Sequence, residues 1–473
     1  MEELKEASAI VPPERAEIDY NTFVKAAQEV GLVCLHRHFE GTFTLSHLRE
    51  LSQEISRDLD VDLKLKDETW DSISKIMAGT GERDLPSFIA RLSTRWLRLM
   101  LIKGVMDGAD GHEIIKKYAD HFLQLADDEG IKTIEFLLSP FAFCKEGDLG
   151  IDYIDDLPKN APEEEKEIIE QWKLRSAEID QDNIPTLFSL CGAVNDLIKE
   201  KYRVINEDFS DDKRMGVGFR LCLRREKKAE EFLTTEIEET AKRFGGDRSE
   251  LISQIVELYK AEVIQGVDIA GVESSKDLFL YNKLFTRLDQ YGIPCTVHVA
   301  EMPESEAEKA YKNLETAIVN SRALRLGHAV RLFDDNAEIN ALLLQVLKSR
   351  TLIECNVTSN GWTGCAPNDL AEHPIIRALR RDHSLFKNNP DRIKELWDCI
   401  VICSDDPVIF TSEKESKAFL PLIDEHYKIL CVVVPTVYPE KLEAIQRGDE
   451  NALKEIFTEL KTKGEQATLA NIK

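Results

Sequence analysis

The sequence has no uninterrupted apolar run approaching the roughly 20 residues that span a lipid bilayer. Its first ten residues, MEELKEASAI, are acidic and contain no apolar core of the length found in signal peptides. From these two absences we expect a soluble, cytoplasmic protein with no membrane partner.

Basic clusters and closely paired cysteines are also missing. The 61 Lys and Arg residues face 87 Asp and Glu residues, which gives a formal net charge of -26. Such a charge repels phosphate backbones, so we expect no nucleic-acid partner. The ten cysteines are scattered without a CxxC pair, which is typical of reduced, buried thiols rather than disulfides or a cysteine zinc site.

Eight short apolar runs are present, and segments with helical spacing separate them. Alternation of buried strands with helices predicts parallel pairing. Eight such units favour an α/β fold of the (β/α)8 TIM barrel type, with helical insertions, over a doubly wound open sheet. The predicted strands are 31–38, 132–140, 215–224, 263–271, 294–301, 324–330, 351–360 and 399–407.

The chain is interpreted as one elaborated domain over residues 1–473. The barrel occupies about 31–410, and a helical tail follows over about 411–473. An acidic insert at about 146–183, which contains the run EEEKE after Pro162, is interpreted as a solvated flap or helix. Residues 305–321 have helical spacing, and Ser305 with Glu308 predicts a capping box at the helix start.

Histidines and acids are concentrated where the predicted strands end. A single histidine in such a position is usually structural, but four of the ten histidines in the chain fall there. Because the chemistry of a TIM barrel takes place at the carboxyl ends of its strands, we expect the active site at this end. The residues concerned are His36, His38, His298, Glu301, His328, Asp405 and Asp406.

The first two histidines have the spacing that a metal ion requires. Residues two apart on a strand face the same side, so His36 and His38 should project together, with Arg37 opposite in a structural salt bridge. Imidazole nitrogens suit Zn²⁺, and a catalytic zinc site keeps a position for water. A suitable set of ligands is His36, His38, His298 and Asp405. No lysine ends the fourth run, so one metal ion is the simpler inference.

Two further residues match the proton transfers of metal-assisted hydrolysis. The reaction needs a base for the water and an acid for the acceptor. His328 is placed to orient or deprotonate the water, and Glu301 can donate a proton to a ring nitrogen. Taken alone, Glu301 is better explained as an acid at a helix N-terminus that the helix dipole stabilises.

Together these motifs resemble the adenosine deaminase family of zinc-dependent aminohydrolases, in the amidohydrolase superfamily. That family has HxH, HxGE, GHG and DDP in this order. The present chain has HRH at 36–38, HVAE at 298–301, GHA at 327–329 and DDP at 405–407. Supporting matches are DIAG at 268–271, Glu354, and TSN at 358–360. The resemblance covers about residues 32–410 and implies the same barrel.

The resemblance also implies an activity. It predicts a hydrolytic deaminase of a 6-aminopurine, converting adenosine or 2′-deoxyadenosine to inosine or its deoxy form plus ammonia. A small purine is the expected partner, and one Zn²⁺ per chain is the expected cofactor. By resemblance the zinc ligands are His36, His38, His298 and Asp405.

The remaining roles follow from the same resemblance. Glu301 would protonate purine N1, and His328 would orient or activate the attacking water. Asp406 would hydrogen-bond to purine N7, while the backbone at Gly271 would meet N3.

Three positions depart from the family pattern. Ala300 and Ala329 replace glycines, and Glu40 stands where adenosine deaminases commonly have aspartate. If the first strand continues, Glu40 faces the same side as the two histidines, at the rim where a ribose would sit. The form EGT is similar to adenine deaminases, so a deaminase of adenine or of a modified aminopurine is the alternative. An inactive purine-binding relative and a metal hydrolase of another ring or an ester are further alternatives.

Overall fold

The computed structural model describes residues 16–78, 94–144, 162–175, 178–205, 214–225, 249–321, 323–387, 389–407, 421–469 and 471. Within these residues nine strands form one parallel sheet. The strands are β1 (Leu32–Cys34), β2 (Ile131–Leu138), β3 (Arg203–Val204), β4 (Gly216–Arg224), β5 (Gly266–Ala270), β6 (Cys295–Val299), β7 (Arg325–His328), β8 (Leu352–Cys355) and β9 (Ile400–Ile402).

The sheet curves into a nearly closed barrel. Its strands follow the order β1-β2-β4-β5-β6-β7-β8-β9, and the short β3 pairs beside β4. After β9 the backbone N–H of Asp405 donates to the carbonyl of His36 at 2.9 Å, and the N–H of His38 donates to the carbonyl of Asp405 at 3.1 Å. These bonds connect the last strand with the first. The predicted eight-stranded TIM barrel is therefore confirmed, and the open sheet is wrong.

Each of the eight predicted strands is present, but all except β4 end earlier than predicted. Left-handed backbone occurs at or just beyond the ends of three of them, with φ of 59° at Ala300, 62° at His328 and 55° at Asp405. The two-residue β3 was not predicted, because so short a strand has no recognisable pattern.

Helices connect the strands. They are α1 (Tyr20–Val30), α2 (Leu45–Leu59), α3 (Asp67–Ala78), α4 (Thr94–Met106), α5 (Gly111–Asp128), α6 (Glu163–Arg175), α7 (Leu187–Lys201), α8 (Ser249–Lys260), α9 (Asn282–Gln290), α10 (Ala307–Glu315), α11 (Ala337–Ser349), α12 (Val357–Trp362), α13 (Pro374–Leu379), α14 (Pro390–Cys399), α15 (Pro421–Val437), α16 (Pro439–Gln446) and α17 (Glu450–Gln466). None of these described helices is both long and apolar enough to cross a membrane. All ten cysteines are free and buried, as predicted.

Helix α1 illustrates how the sequence specifies these elements. The side chain of Asp19 accepts a hydrogen bond from the backbone N–H of Thr22 at 2.8 Å, which caps the first turn. Phe23, Ala26 and Ala27 then recur at helical spacing and are buried. The capping box predicted at Ser305 is wrong, because α10 begins at Ala307 and its cap residue makes no side-chain hydrogen bond.

The described part of the acidic insert consists of helix α6, residue 162 and residues 178–183, and one face of α6 is buried. Trp172 and Ile169 are buried, and Glu165 accepts a hydrogen bond from Arg95 of α4 at 2.6 Å. This segment is therefore a packed helix, not a solvated flap. Residues 146–161 and 176–177 of the insert and 408–420 near the start of the tail lie outside the described residues. The assignment of a single domain stays a prediction.

The end of the tail covers the amino end of the barrel. Arg325 of β7 donates to the carbonyl of Ala467 at 2.7 Å, and the N–H of Leu469 donates to Glu135 of β2 at 2.8 Å. The functional site must therefore be approached from the carboxyl end of the strands.

Candidate active site

Four histidines and an aspartate meet at the carboxyl end of the barrel. The ring centroids of His36 and His298 are 4.5 Å apart, and those of His298 and His328 are 5.2 Å apart. The Nε2 atoms of His38 and His298 are separated by 3.1 Å. Asp405 Oδ1 lies 3.3 Å from His36 Nε2 and 3.6 Å from His38 Nε2. All five side chains are buried or nearly so.

The extended backbone after β1 explains how two of these histidines come together. His36 and His38 project into the cluster, and their ring centroids are 5.4 Å apart. Arg37 points the other way, where its Nη2 lies 2.6 Å from Glu129 Oε2 and its Nε donates to Ser404 at 2.8 Å. Arg37 thus forms the structural salt bridge predicted from the alternation of side chains.

Carboxylates lie behind two of the histidines. Glu354 Oε2 is 2.6 Å from His36 Nδ1, and Asp268 Oδ2 is 2.7 Å from His298 Nδ1. Burial raises the pKa of Glu354, but Arg220 and other neighbouring cations outweigh it and lower the pKa to about 2. An ionised carboxylate only accepts hydrogen bonds, so Nδ1 of His36 carries the proton toward Glu354. The charge contact with Asp268 favours the same tautomer of His298. Nε2 of each ring is then directed toward the cluster.

This donor set fits a divalent metal such as Zn²⁺. His36 Nε2 has no hydrogen-bond partner among the described residues. Burial lowers the pKa of His298 to about 4, which favours the neutral imidazole that a metal requires. The ligand atoms fall into two groups within 4.8 Å, which share Asp405: His36, His298, His328 and Asp405, and His38, Asp405 and Asp406. The four predicted ligands are thus adjacent, although the group of four contains His328 instead of His38.

The charge at His36 also suits a cation site. Burial lowers its pKa, but Glu354 and Asp405 outweigh burial and raise the pKa to about 10. The two carboxylates that favour a protonated His36 would stabilise a bound cation in the same way.

Glu301 and His328 face each other beside this cluster. His328 Nε2 lies 3.6 Å from Glu301 Oε2 and 3.9 Å from Asp405 Oδ2, while its Nδ1 is 2.7 Å from Asn360 Oδ1. Burial raises the pKa of Glu301 to about 7; His328 opposes this increase and Asp405 adds to it. Glu301 therefore holds a proton in part of its population near neutral pH.

A tight turn orients Glu301. Glu273 accepts hydrogen bonds from the backbone N–H groups of Ala300 at 2.9 Å and Glu301 at 2.8 Å. Ala300 has a φ of 59° and Ala329 a φ of 49°, the left-handed region that favours glycine. These two alanines therefore adopt a conformation that glycine adopts without strain, at a cost of roughly 1 kcal/mol each.

The backbone conformation at Glu40 differs from the prediction, because the first strand ends at Cys34 and does not continue to Glu40. Phe39–Gly41 forms a short 3-10 turn instead, and Glu40 is buried in it. A Cβ atom on Gly41 would lie 1.5 Å from Asp406 Oδ1, so only glycine leaves room for Asp406 there. Gly271 directly follows β5 with a φ of 98°, at the same end of the barrel.

Asp406 has the properties of a ligand-binding acid. Burial, followed by the charges of Asp405 and Glu40, raises the pKa of Asp406 well above its usual value. Its Oδ1 has no hydrogen-bond partner within the described parts of the chain. A protonated carboxyl in this position can donate a hydrogen bond to a ligand.

Sequence reasoning missed three buried residues around the cluster. Arg220 lies on β4, Arg225 directly follows it, and Glu273 lies in the 3-10 turn after β5. Arg225 Nη2 donates to the carbonyl of His298, which fixes that ligand's backbone. The signal available in the sequence was the presence of arginines within the apolar run GFRLCLRR. Glu273 has no comparable signal, since an acid after a strand is common at a helix start.

Comparison with known sequences places part of the chain in a family. Residues 225–394 match the family model for adenosine deaminase. The adenosine deaminase of Clostridium kluyveri is 31% identical over 126 residues, which are 26% of this chain and 32% of the clostridial protein. The matching segment thus spans about a third of that relative. The family match includes His298, Glu301 and His328, whereas His36, His38 and Asp405 lie outside it.

Solved structures of deaminases share the fold over most of the chain. The adenine deaminase of Arthrobacter aurescens is 15% identical, with a TM-score of 0.51 and coverage of 91% of this chain and 98% of that one. The N6-mAMP deaminase of arabidopsis is also 15% identical, with a TM-score of 0.52 and coverage of 93% and 98%. At these identities the likeness concerns the fold.

Proposed function

Since the chain belongs to the adenosine deaminase family, hydrolases of carbon–nitrogen bonds in cyclic amidines, we propose that it removes the 6-amino group of a purine with one bound Zn²⁺. The proposed substrates are adenosine and 2′-deoxyadenosine, and the products are inosine or its deoxy form and ammonia. One observation carries the proposal. Glu301, a buried acid with a pKa of about 7, lies 3.6 Å from His328 beside the cluster of histidines and Asp405.

The proposed metal ligands are His36, His38, His298 and Asp405. Their adjacency, the unpartnered Nε2 of His36 and the carboxylates behind His36 and His298 support this assignment. When bound, Zn²⁺ supplies Lewis acidity, which lowers the pKa of a water molecule to about 7.

Glu301 and His328 perform the proposed proton transfers. His328 Nδ1 is fixed by Asn360, which leaves Nε2 to orient the attacking water or accept its proton. Glu301 donates a proton to purine N1, which makes C6 more electrophilic. Water adds at C6 and gives one proton to His328, which passes it to the leaving amino group. Ammonia departs as the C6 hydroxyl becomes a carbonyl and its proton returns to Glu301, so that one water is consumed for each ammonia released.

Asp406 binds the five-membered ring in this proposal. Its raised pKa favours the protonated form, which can donate a hydrogen bond to purine N7. The backbone at Gly271 meets N3. In this proposal Asp405 binds the metal and Asp406 binds the substrate, and the two residues are adjacent in sequence.

Free adenine is the second candidate substrate, and Glu40 favours it. The charge of Glu40 contributes to the raised pKa of Asp406, and Gly41, the residue after Glu40, packs against the Asp406 carboxyl. Purine N7 and N9 belong to the same five-membered ring. Glu40 can therefore accept the N9–H of adenine, whereas in a nucleoside N9 carries the sugar.

A substrate panel tests the proposal. Ammonia release and kcat/KM are measured for adenosine, 2′-deoxyadenosine, adenine and N6-methylated purines. We expect the nucleosides to have the highest kcat/KM. A higher value for adenine would assign the free base, and Glu40→Asp should then raise the rate with nucleosides, because the shorter side chain leaves room for a sugar. Binding of purines without any release of ammonia would show an inactive relative, and turnover of esters alone would show another hydrolase.

A further inference from the structure

We propose that Arg220 is a positioning residue that orients two of the proposed metal ligands, His36 and His298, through separate sets of contacts. The inference rests on the metal site proposed above. Arg220 lies on β4 inside the barrel, is fully buried and contributes no atom to the cluster.

The first set of contacts leads to His36. Arg220 Nη2 donates a hydrogen bond to the carbonyl of Leu35, the residue directly before this ligand. The same Nη2 atom lies 3.2 Å from Glu354 Oε1. The other oxygen of Glu354 is 2.6 Å from His36 Nδ1. Arg220 therefore holds both the backbone of His36 and the carboxylate that orients its ring.

The second set of contacts leads to His298. Arg220 Nη1 donates to the hydroxyl of Thr296, which donates in turn to Asp268 Oδ1 at 2.5 Å. Asp268 Oδ2 is 2.7 Å from His298 Nδ1. Thr296 and His298 are two residues apart on β6 and so face the same side. The orientation of this second ligand thus depends on the other branch of the same guanidinium group.

The geometry of arginine explains why one side chain serves both ligands. Its planar guanidinium presents diverging N–H groups in a rigid fork, while lysine offers a single nitrogen. Arg220 Nε lies 3.1 Å from Glu135 Oε1, which anchors the base of the fork. A lysine would keep the positive charge but would support only one of the two branches.

Arg325 provides a comparison within the same network. It is also fully buried, its Nε lies 2.7 Å from Glu354 Oε1, and its Nη2 contacts Glu135. These contacts lead toward His36. Loss of Arg325 should therefore affect metal binding less than loss of Arg220.

The test uses the full-length protein and the variants Arg220→Met, Arg220→Lys and Arg325→Met. The dissociation constant of Zn²⁺ is measured by competition with a chelator, and the visible spectrum is recorded after substitution with Co²⁺. We expect Arg220→Met to weaken Zn²⁺ binding by about 10- to 100-fold and to change the Co²⁺ spectrum. Arg220→Lys and Arg325→Met should show smaller losses.

A stability control separates positioning from a general structural role. Arg95→Met removes the pair with Glu165 on helices outside the barrel. It should lower the melting temperature while leaving the Zn²⁺ dissociation constant and the Co²⁺ spectrum unchanged.

The proposal would be overturned if Arg220→Met folds, has a Zn²⁺ dissociation constant within twofold of the wild type and shows an unchanged Co²⁺ spectrum. If Arg220→Met does not fold, Arg220→Lys decides, and wild-type affinity in that variant overturns it. Failure of the proposed function can be distinguished from failure of the Arg220 proposal, because it is measured on the wild type. The wild-type protein would then bind no Zn²⁺ or release no ammonia.

Discussion

Glu301 shows how strongly the surroundings of one residue determine its chemistry. A glutamate in water is ionised at pH 7 and cannot act as an acid. Here burial raises the pKa of Glu301 to about 7, although His328 lies 3.6 Å away and opposes the shift. The sequence indicated a proton donor at this position, but the pKa depends on a cavity that is built from several strands.

This pKa predicts the pH dependence of the reaction. The active form of Glu301 is protonated, so kcat/KM should fall as pH rises above about 7. Glu301→Gln should lower kcat by on the order of 100-fold or more, because an amide cannot donate the proton, while Zn²⁺ stays bound. The measurements are pH profiles of kcat/KM, kcat at one pH, and metal analysis of both proteins.

Glu304→Gln is the matched control, since Glu304 is exposed just beyond the same turn. It should keep the wild-type rate and pH profile. Wild-type turnover in Glu301→Gln would remove Glu301 from the mechanism.

The residues that sequence reasoning missed have a common physical cause. Glu273 and Arg220 act through partners that are close in space only after the barrel forms, such as Ala300 and Leu35. The ligand histidines were recognisable because their own spacing and strand-end positions indicate the chemistry. Roles that depend on distant partners leave no such local pattern.

At the scale of elements, the eight strands were predictable and their ends were not. Short apolar runs predict where a strand begins, as at β6 and β7. Left-handed residues lie at or just beyond three of these ends, at Ala300, His328 and Asp405, and residues other than glycine adopt that conformation too rarely for the sequence to indicate it. Glu40 was misplaced for the same reason, since its strand gives way to a 3-10 turn.

That 3-10 turn supports a second prediction. Gly41 leaves room for Asp406, and a Cβ atom would lie 1.5 Å from Asp406 Oδ1. Gly41→Ala should displace this acid and lower kcat/KM by on the order of 100-fold, because misplacement of a binding group by about 1 Å has such effects. The measurement is steady-state kinetics, together with metal analysis to show that Zn²⁺ is retained.

Gly192→Ala is the control for this change. Gly192 lies within helix α7, and an added Cβ atom there would have no neighbour within 4 Å. This variant should keep the wild-type kcat/KM. An unaltered kcat/KM in Gly41→Ala would contradict the packing of the turn against Asp406.

For the whole molecule, alternation of strands and helices was sufficient to predict the barrel. The contacts that complete it were not predictable, because they join distant parts of the chain. Arg37 pairs with Glu129, 92 residues away, and Arg325 bonds to the carbonyl of Ala467, 142 residues away. Only such contacts show that the tail covers the amino end of the barrel.

Metal removal should reveal the link between the site and the stability of the whole molecule. The proposed ligands come from the ends of β1, β6 and β9, so a metal that binds only the folded state stabilises all three together. Free Zn²⁺ at about 100 times its dissociation constant contributes about 2.7 kcal/mol. The entropy of unfolding is about 2.1 cal per mol per kelvin for each residue. For 473 residues it is therefore about 1 kcal per mol per kelvin.

The melting temperature should therefore rise by about 3 °C when Zn²⁺ is restored to chelator-treated protein. His36→Ala removes one ligand and should abolish most of this increase, whereas Glu304→Gln, which leaves the cluster intact, should retain it. Differential scanning calorimetry on the three proteins, with and without Zn²⁺, measures the effect. A wild-type protein that deaminates purines but shows the same melting temperature with Zn²⁺ and with chelator would contradict the prediction, because a ligand bound only by the folded state must raise the midpoint of unfolding.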